Sequence, residues 1–226
     1  QVVKALEPKP VMIRTADIGG DRLSQLGIEG PKSETNPFMG LRGVRLFLRH
    51  ADLFKTQLRA ILRVSAKGSV KILIPMVSTL AEINGVKRLL SQAVAELKAE
   101  GLELKQKVDL GIMVEIPSAA LMMDAYLPLI DFISIGTNDL IQYTMAVDRG
   151  NERIAYLYDP LHPAILRTLH SVFDVAAKAK IRVSLCGEMS GDPLFSLVLL
   201  GLGLSEFSMS AGSLPLVKKV LRLATF

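Results

Sequence analysis

Tryptophan is absent from this 226-residue sequence, aromatic residues make up only 5% of it, and it contains a single cysteine. One cysteine excludes an internal disulfide framework and is typical of a reducing compartment. Because aromatic residues are so few, a surface that alternates basic and stacking side chains is not indicated, and the net charge of +5 does not by itself point to nucleic acid. We attribute that charge to a solvated surface and to a few arginines that bind a small anion.

Long hydrophobic runs are lacking as well. The longest uncharged apolar stretch, residues 194–204, is too short to cross a bilayer, and residues 1–10 lack the apolar core of a secretory signal. We therefore expect a soluble, cytoplasmic protein with neither nucleic acid nor membrane as a partner. Half of the residues are hydrophobic and 22% are charged, which predicts one large globular domain over residues 1–226.

Short apolar runs alternate along the chain with longer amphipathic stretches. The runs are continuous instead of alternating, which is typical of strands buried on both faces, and they cover residues 11–15, 70–77, 110–115, 132–136, 183–186 and 206–209. The helical stretches cover residues 51–65, 79–100, 118–127, 163–179 and 193–200. Strands separated by helices predict an α/β fold with a parallel sheet, and the polar segment 19–40 predicts a long loop at the ligand-binding carboxyl edge.

The predicted strand count is six, whereas a closed (β/α)8 TIM-type barrel needs eight. Two interpretations follow. The chain is either an N-terminally truncated barrel that carries strands three to eight, or an open six-stranded sheet.

Two carboxylates stand where neighbouring strands end. Glu115 closes the run GIMVE, and Asp139 follows FISIG in the segment GTND. Adjacent parallel strands lie about 4.8 Å apart, so carboxylates at their ends can share one cation. Without His or Cys beside them, these oxygen ligands favour Mg²⁺ or Mn²⁺ over zinc. The alternatives are a salt-bridging Glu115, and a turn at Asn138 with Asp139 as a helix N-cap.

Cys186 ends a further strand, in SLCGEMSGD, at the same predicted edge. It is either a small core side chain or a group that donates a proton to a bound substrate or accepts one from it. Arginines add positive charge, and their planar forks match phosphate and carboxylate. Taken singly, Arg42 and Arg149 are better explained as surface charges, whereas Arg14 lies in a buried-type strand and so requires an anionic partner.

Five motifs together resemble the phosphoenolpyruvate-binding domain of Enzyme I of the bacterial phosphotransferase system. They are RTADIGGD at 14–21, NPFMGLRGVR at 36–45, GIMVEIPSAA at 111–120, IGTNDLIQYTMAVDRGN at 135–151 and LCGEMSGD at 185–192. The resemblance covers essentially the whole chain, in order. Pyruvate phosphate dikinase and phosphoenolpyruvate synthase share this domain, but the DRGN segment and the EFSMS ending are most similar to Enzyme I.

The resemblance implies a PEP-utilising (β/α)8 barrel that binds phosphoenolpyruvate and Mg²⁺ and forms a homodimer. Under it, Glu115 and Asp139 bind the metal, and Cys186 is the acid that turns the enolate into pyruvate. The substrate-binding residues that it implies are Arg14, Arg42, Asn138, Asp139 and Arg149. The phosphoryl group passes to a histidine on a separate domain and then to an HPr-type carrier, in sugar uptake or in the nitrogen-regulatory branch.

Two features of the family are missing from the sequence. One is a phosphate-binding arginine on the strand before that of Arg14, and the other is the domain with the phosphorylatable histidine. We therefore expect this fragment to be inactive alone. Two alternatives stay open, namely the PEP-binding domain of a dikinase or synthase, and a non-catalytic dimerisation or ligand-sensing module.

Overall fold

The structure is a computed structural model that describes residues 1–19, 34–104 and 107–224. It divides into two compact units, residues 1–112 and 113–226, and each combines helices with parallel strands in an α/β fold. Most of the loop predicted over residues 19–40 lies outside the described residues. Within the described residues, no helix is both long enough and apolar enough to span a membrane. The single-domain assignment of residues 1–226 stays a prediction.

The described residues of the first unit form four helices and the strands β1 and β2, together with the start of β3. In chain order these are α1 (Val2–Leu6), β1 (Val11–Arg14), α2 (Gly43–Arg49), α3 (Ala51–Ser65), β2 (Val70–Ile74), α4 (Leu80–Ala99) and β3 (Asp109–Val114), with a 3-10 turn at Pro37–Met39. β2 pairs in parallel with β1 on one side and with β3 on the other. Thr79 is the N-cap of α4 and forms a capping box, because its side chain accepts from the Glu82 amide while the Glu82 carboxylate accepts from the Thr79 amide.

The second unit begins with the last residues of β3. Its elements are α5 (Pro117–Leu121), α6 (Met123–Tyr126), β4 (Phe132–Gly136), α7 (Thr137–Met145), α8 (Pro163–Lys178), β5 (Arg182–Cys186), α9 (Glu188–Gly191), α10 (Pro193–Gly201), β6 (Glu206–Phe207) and α11 (Leu214–Leu223), with 3-10 turns at Leu127–Leu129 and Ala155–Leu157. β5 pairs in parallel with both β4 and β6. The carboxyl ends of β4 and β5 therefore lie side by side.

All six predicted strands are present, but the expected burial on both faces holds only for β2, β3 and β4. Along β1, half-buried and exposed residues alternate, and Arg14 is exposed. The premise that Arg14 lies in a buried-type strand is therefore wrong. β1 therefore has one covered face and one face open to solvent, and a charged residue can lie on the open face.

Two local predictions are also wrong. Residues 118–127 form the short helices α5 and α6 instead of one helix, and α5 begins at Pro117 with Ile116 as its N-cap. Pro117 occupies the first turn, where its missing N–H is not needed. Asn138 is not a turn residue and Asp139 is not an N-cap, because α7 begins directly at Thr137 and places both in its first turn.

Candidate active site

The predicted site residues Glu115, Asn138, Asp139, Arg149 and Cys186 all belong to the second unit. Gly136 and Cys186 are register partners at the ends of β4 and β5. Since α7 starts immediately after Gly136, its first turn lies at the carboxyl edge of these strands. This edge is where parallel α/β proteins bind their ligands.

Cys186 is held through both its side chain and its main chain. The Ser134 hydroxyl donates to its Sγ at 3.7 Å, and the thiol donates to the Ile135 carbonyl at 3.4 Å. The Thr137 hydroxyl donates to the Cys186 carbonyl at 3.1 Å. Because Cys186 is only half-buried, its sulfur combines a fixed position with access to solvent.

Asn138 is fixed by the segment that follows Cys186. Its Oδ1 accepts a hydrogen bond from the Glu188 amide at 3.0 Å. Its side-chain oxygen is therefore engaged, and the group that it can offer to an anionic ligand is its amide NH₂. Gly187 makes this contact possible, since a Cβ at that position would lie 2.8 Å from Asn138 Oδ1 and 2.5 Å from Thr137 Oγ1.

Arg149 approaches the same edge from the loop after α7. Its amide donates to Gln142 Oε1 at 3.2 Å, and its guanidinium lies 3.3 Å from the carboxylate of Glu188. The Tyr158 hydroxyl donates to the Asn138 carbonyl at 3.4 Å. Burial raises the pKa of Tyr158 to about 12, with the Arg149 charge acting against the shift and those of Glu188 and Asp139 adding to it. Tyr158 therefore lies within electrostatic reach of three charged side chains of the edge.

Glu115 and Asp139 are both nearly buried, with 3% and 8% of their surfaces exposed. Glu115 lies against Gly136, where a Cβ would come within 2.9 Å of Oε2. Across residues 1–19, 34–104 and 107–224, no group of three or more His, Cys, Asp or Glu is placed to hold a metal ion. Two carboxylates nevertheless fit Mg²⁺, which takes one or two protein carboxylates and completes its shell with water and substrate oxygens.

The two remaining predicted residues, Arg14 and Arg42, lie in the first unit. Arg14 ends β1, in an exposed position. Arg42 forms a two-pronged ion pair with Asp17, with Nη2 at 2.6 Å from Oδ2 and Nε at 3.0 Å from Oδ1. Its guanidinium also lies 5.8 Å from the centre of the Phe38 ring. Arg42 thus has an anionic partner within its own unit, and substrate binding by either arginine stays a prediction.

Several residues of this edge were not identified from the sequence. The sequence could have identified Ser134, because a hydroxyl within an apolar strand requires a hydrogen-bond partner. Gly187 and Thr137 adjoin residues that were identified, but local patterns do not reveal the contact between them. The sequence could not have identified Tyr158, because its position beside Asn138 depends on the path of the loop after α7.

Comparisons with known proteins agree with the motifs. The model of the PEP-binding domain of PEP-utilising enzymes matches residues 1–226. Phosphoenolpyruvate-protein phosphotransferases from Priestia megaterium and Geobacillus stearothermophilus are 49% and 50% identical to this chain, over 222 and 225 residues. These alignments cover 98% and 99% of this chain but 38% of each relative. The chain therefore spans less than two fifths of the length of these curated relatives.

Solved structures give a more distant likeness. A citrate lyase from Burkholderia xenovorans LB400 matches with a TM-score of 0.56, over 74% of this chain and 53% of its own. A malate synthase from Haloferax volcanii matches with a TM-score of 0.54, over 76% of this chain and 52% of its own. Both are 14% identical to this chain, so these matches support the α/β fold alone. The family predicted from five motifs is confirmed: the chain belongs to the PEP-binding domain family of the PEP-utilising enzymes.

Proposed function

We propose that this chain is the phosphoenolpyruvate-binding part of a phosphoenolpyruvate-protein phosphotransferase. The observation that carries the proposal is the cluster at the carboxyl edge of the second unit. There, Asn138 and Arg149 both contact the segment that follows Cys186, and Asp139 stands in the same helical turn as Asn138. The relatives that are about half identical bear the name of this enzyme.

Glu115 and Asp139 are the proposed Mg²⁺ ligands. When bound, Mg²⁺ supplies positive charge that offsets the negative charge of the phosphate group. Two observations support this role: carboxylate oxygens are the protein ligands that Mg²⁺ prefers, and both side chains lie nearly buried, directly after β3 and in the first turn of α7.

In the second unit, Arg149 and Asn138 are proposed to bind the anionic substrate. Substrate binding by Arg14 and Arg42 of the first unit is a separate proposal. Arg149 has a guanidinium that matches phosphate or carboxylate oxygens, and Asn138 offers amide N–H donors. The contact of Arg149 with the exposed Glu188 is a surface ion pair, which contributes little stability and can give way to a bound anion. In this proposal Asn138 helps to align the substrate and Arg149 neutralises negative charge, which is what phosphoryl transfer requires of a protein.

Cys186 is the proposed acid. Loss of the phosphoryl group to a histidine of a separate domain leaves the enolate of pyruvate. The S–H bond of Cys186 then breaks, its proton forms a C–H bond at the enolate carbon, and its electron pair remains on sulfur as thiolate. The negative charge moves from the enolate oxygen to sulfur as the carbonyl of pyruvate forms, and the reaction is drawn forward.

The rest of the proposal concerns the whole enzyme. These strands would form part of a (β/α)8 barrel, and the phosphoryl group would pass from the histidine domain to an HPr-type carrier protein. We also propose that the enzyme is a cytoplasmic homodimer. The single cysteine is in keeping with a reducing compartment, and the length of the relatives leaves room for the additional domain.

Titration calorimetry of the 226-residue chain with phosphoenolpyruvate tests the metal assignment. We expect binding with Mg²⁺ and none when the metal is chelated. Asp139→Asn should weaken binding in Mg²⁺ by at least about tenfold, because even the loss of an outer-sphere partner costs that much.

The matched control is Asp174→Asn, which removes an exposed carboxylate that pairs with Lys178 in its own helix. This variant should bind like the parent chain. Equal binding with and without Mg²⁺, or equal losses in the two variants, would refute the metal assignment.

A further inference from the structure

Ser134 is a polar residue at the centre of the otherwise apolar strand β4, and only 2% of its surface is exposed. A buried hydroxyl requires a hydrogen-bond partner, and here its donor is directed at Cys186 Sγ, 3.7 Å away. Sulfur is a weak acceptor for a neutral hydroxyl. The hydrogen bond from Ser134 is therefore strongest when Cys186 is a thiolate.

The neighbouring contact has the opposite preference. The thiol of Cys186 donates to the Ile135 carbonyl at 3.4 Å, an interaction that exists only while sulfur carries its proton. One partner thus favours the thiol and the other favours the thiolate.

We infer that Ser134 is a positioning residue for Cys186, which orients the sulfur and stabilises the thiolate that remains after the proton has been delivered. This inference rests on the proposed acid role of Cys186. Ser134 itself touches no reacting atom of the substrate in this scheme. Its contribution is to lower the free energy of the deprotonated sulfur.

Other ionisable residues lie on elements next to β5 or at the same carboxyl edge. Glu188 on α9 and Glu206 on β6 are of the first kind, and Glu115, Asp139 and Arg149 are of the second. The charged side chains of α8, which packs against β5, are all exposed. None of these groups changes in the variants below, so their fields are common to every protein compared.

The chain has one cysteine, so alkylation by iodoacetamide reports Cys186 alone. Only the thiolate reacts, so the rate as a function of pH measures the stability of the thiolate. In Ser134→Ala the midpoint of this profile should move to higher pH by about 0.5 unit, which lowers the rate below the midpoint about threefold. Ser134→Thr retains a hydroxyl and should keep the parent midpoint.

Ser184 supplies a matched control. It is the register partner of Ser134 on β5, it is also buried, and its hydroxyl donates to the Ile133 carbonyl at 3.4 Å. Ser184→Ala removes the same group one strand away and should leave the profile unchanged.

An unshifted midpoint in Ser134→Ala, or equal shifts in the two alanine variants, would overturn the inference. So would a Ser134→Thr protein that behaves like Ser134→Ala, or an unfolded Ser134→Ala chain, because Ser134 would then serve the fold alone. Alkylation requires neither phosphoenolpyruvate nor metal, so this result is independent of the calorimetric test of the proposed function.

Discussion

Gly187 offers the sharpest test of the way in which the candidate site is built. Its backbone has φ +101° and ψ −178°, a conformation that is essentially restricted to glycine. A Cβ at this position would also lie 2.5 Å from Thr137 Oγ1 and 2.8 Å from Asn138 Oδ1. Gly187→Ala therefore carries two separate costs, backbone strain and the displacement of Asn138 from its bond with the Glu188 amide.

Two other glycines of the second unit separate these costs. Gly203 has φ +104°, and no atom lies within 4 Å of the place that a Cβ would take, so Gly203→Ala carries the backbone cost alone, of the order of 1–3 kcal/mol. Gly201 ends α10 and has open space around it, so Gly201→Ala should be neutral or stabilising by up to about 1 kcal/mol. Gly187→Ala should destabilise the chain more than Gly203→Ala does, by about 1–2 kcal/mol. It displaces Asn138 from the Glu188 amide and also Thr137 from the Cys186 carbonyl, and each hydrogen bond contributes about 1 kcal/mol.

Urea unfolding of the three variants measures these free energies, and calorimetry with phosphoenolpyruvate and Mg²⁺ measures the effect on the site. Only Gly187→Ala should weaken phosphoenolpyruvate binding, because only this change displaces Asn138. If Gly187→Ala and Gly203→Ala lost equal stability and bound phosphoenolpyruvate equally well, the close approach of Gly187 to Asn138 would have no consequence, and the proposed site geometry would be refuted.

Two further predictions concern the ion pair of the first unit and the buried tyrosine of the second. Asp17→Asn weakens the ion pair with Arg42, whose contacts measure 2.6 and 3.0 Å. The variant should lose about 2 kcal/mol of unfolding free energy, measured in urea. A loss below about 0.5 kcal/mol would show that the pair is no stronger than an ordinary surface ion pair. The pKa of Tyr158 is raised from 10.0 to about 12, so above pH 10 the unfolded chain releases this proton while the folded chain keeps it, and stability falls as the pH rises towards 12. Between pH 10 and 12, Tyr158→Phe should therefore lose less unfolding free energy than the parent chain. The control Tyr156→Phe, which removes an exposed hydroxyl, should follow the parent chain. Equal slopes of unfolding free energy against pH in all three proteins would refute the raised pKa of Tyr158.

The sequence was sufficient to predict those features that depend on local pattern. Apolar runs located all six strands, and the helix predicted at residues 51–65 has the observed bounds. The common edge of Asp139 and Cys186 could also be predicted, because parallel strands end at the same side of a sheet. The exposure of Arg14 could not, since it depends on whether a second layer covers β1, and four residues carry no information about that layer.

The contacts that give the site its chemistry lie beyond local pattern. Ser134 and Cys186 are 52 positions apart, and Tyr158 and Asn138 are 20 apart. The first contact exists because Ser134 aligns with Ser184 and Gly136 with Cys186, and a shift of one residue in that register would turn the Ser134 hydroxyl to the opposite face of the sheet. A sequence can therefore reveal that a buried hydroxyl needs a partner, while the identity of the partner follows only from strand register. Ser134 is therefore the position at which this register is best tested, because a change there acts on one reactive atom, Cys186 Sγ. The edge residues that the motifs identify do not offer such a test.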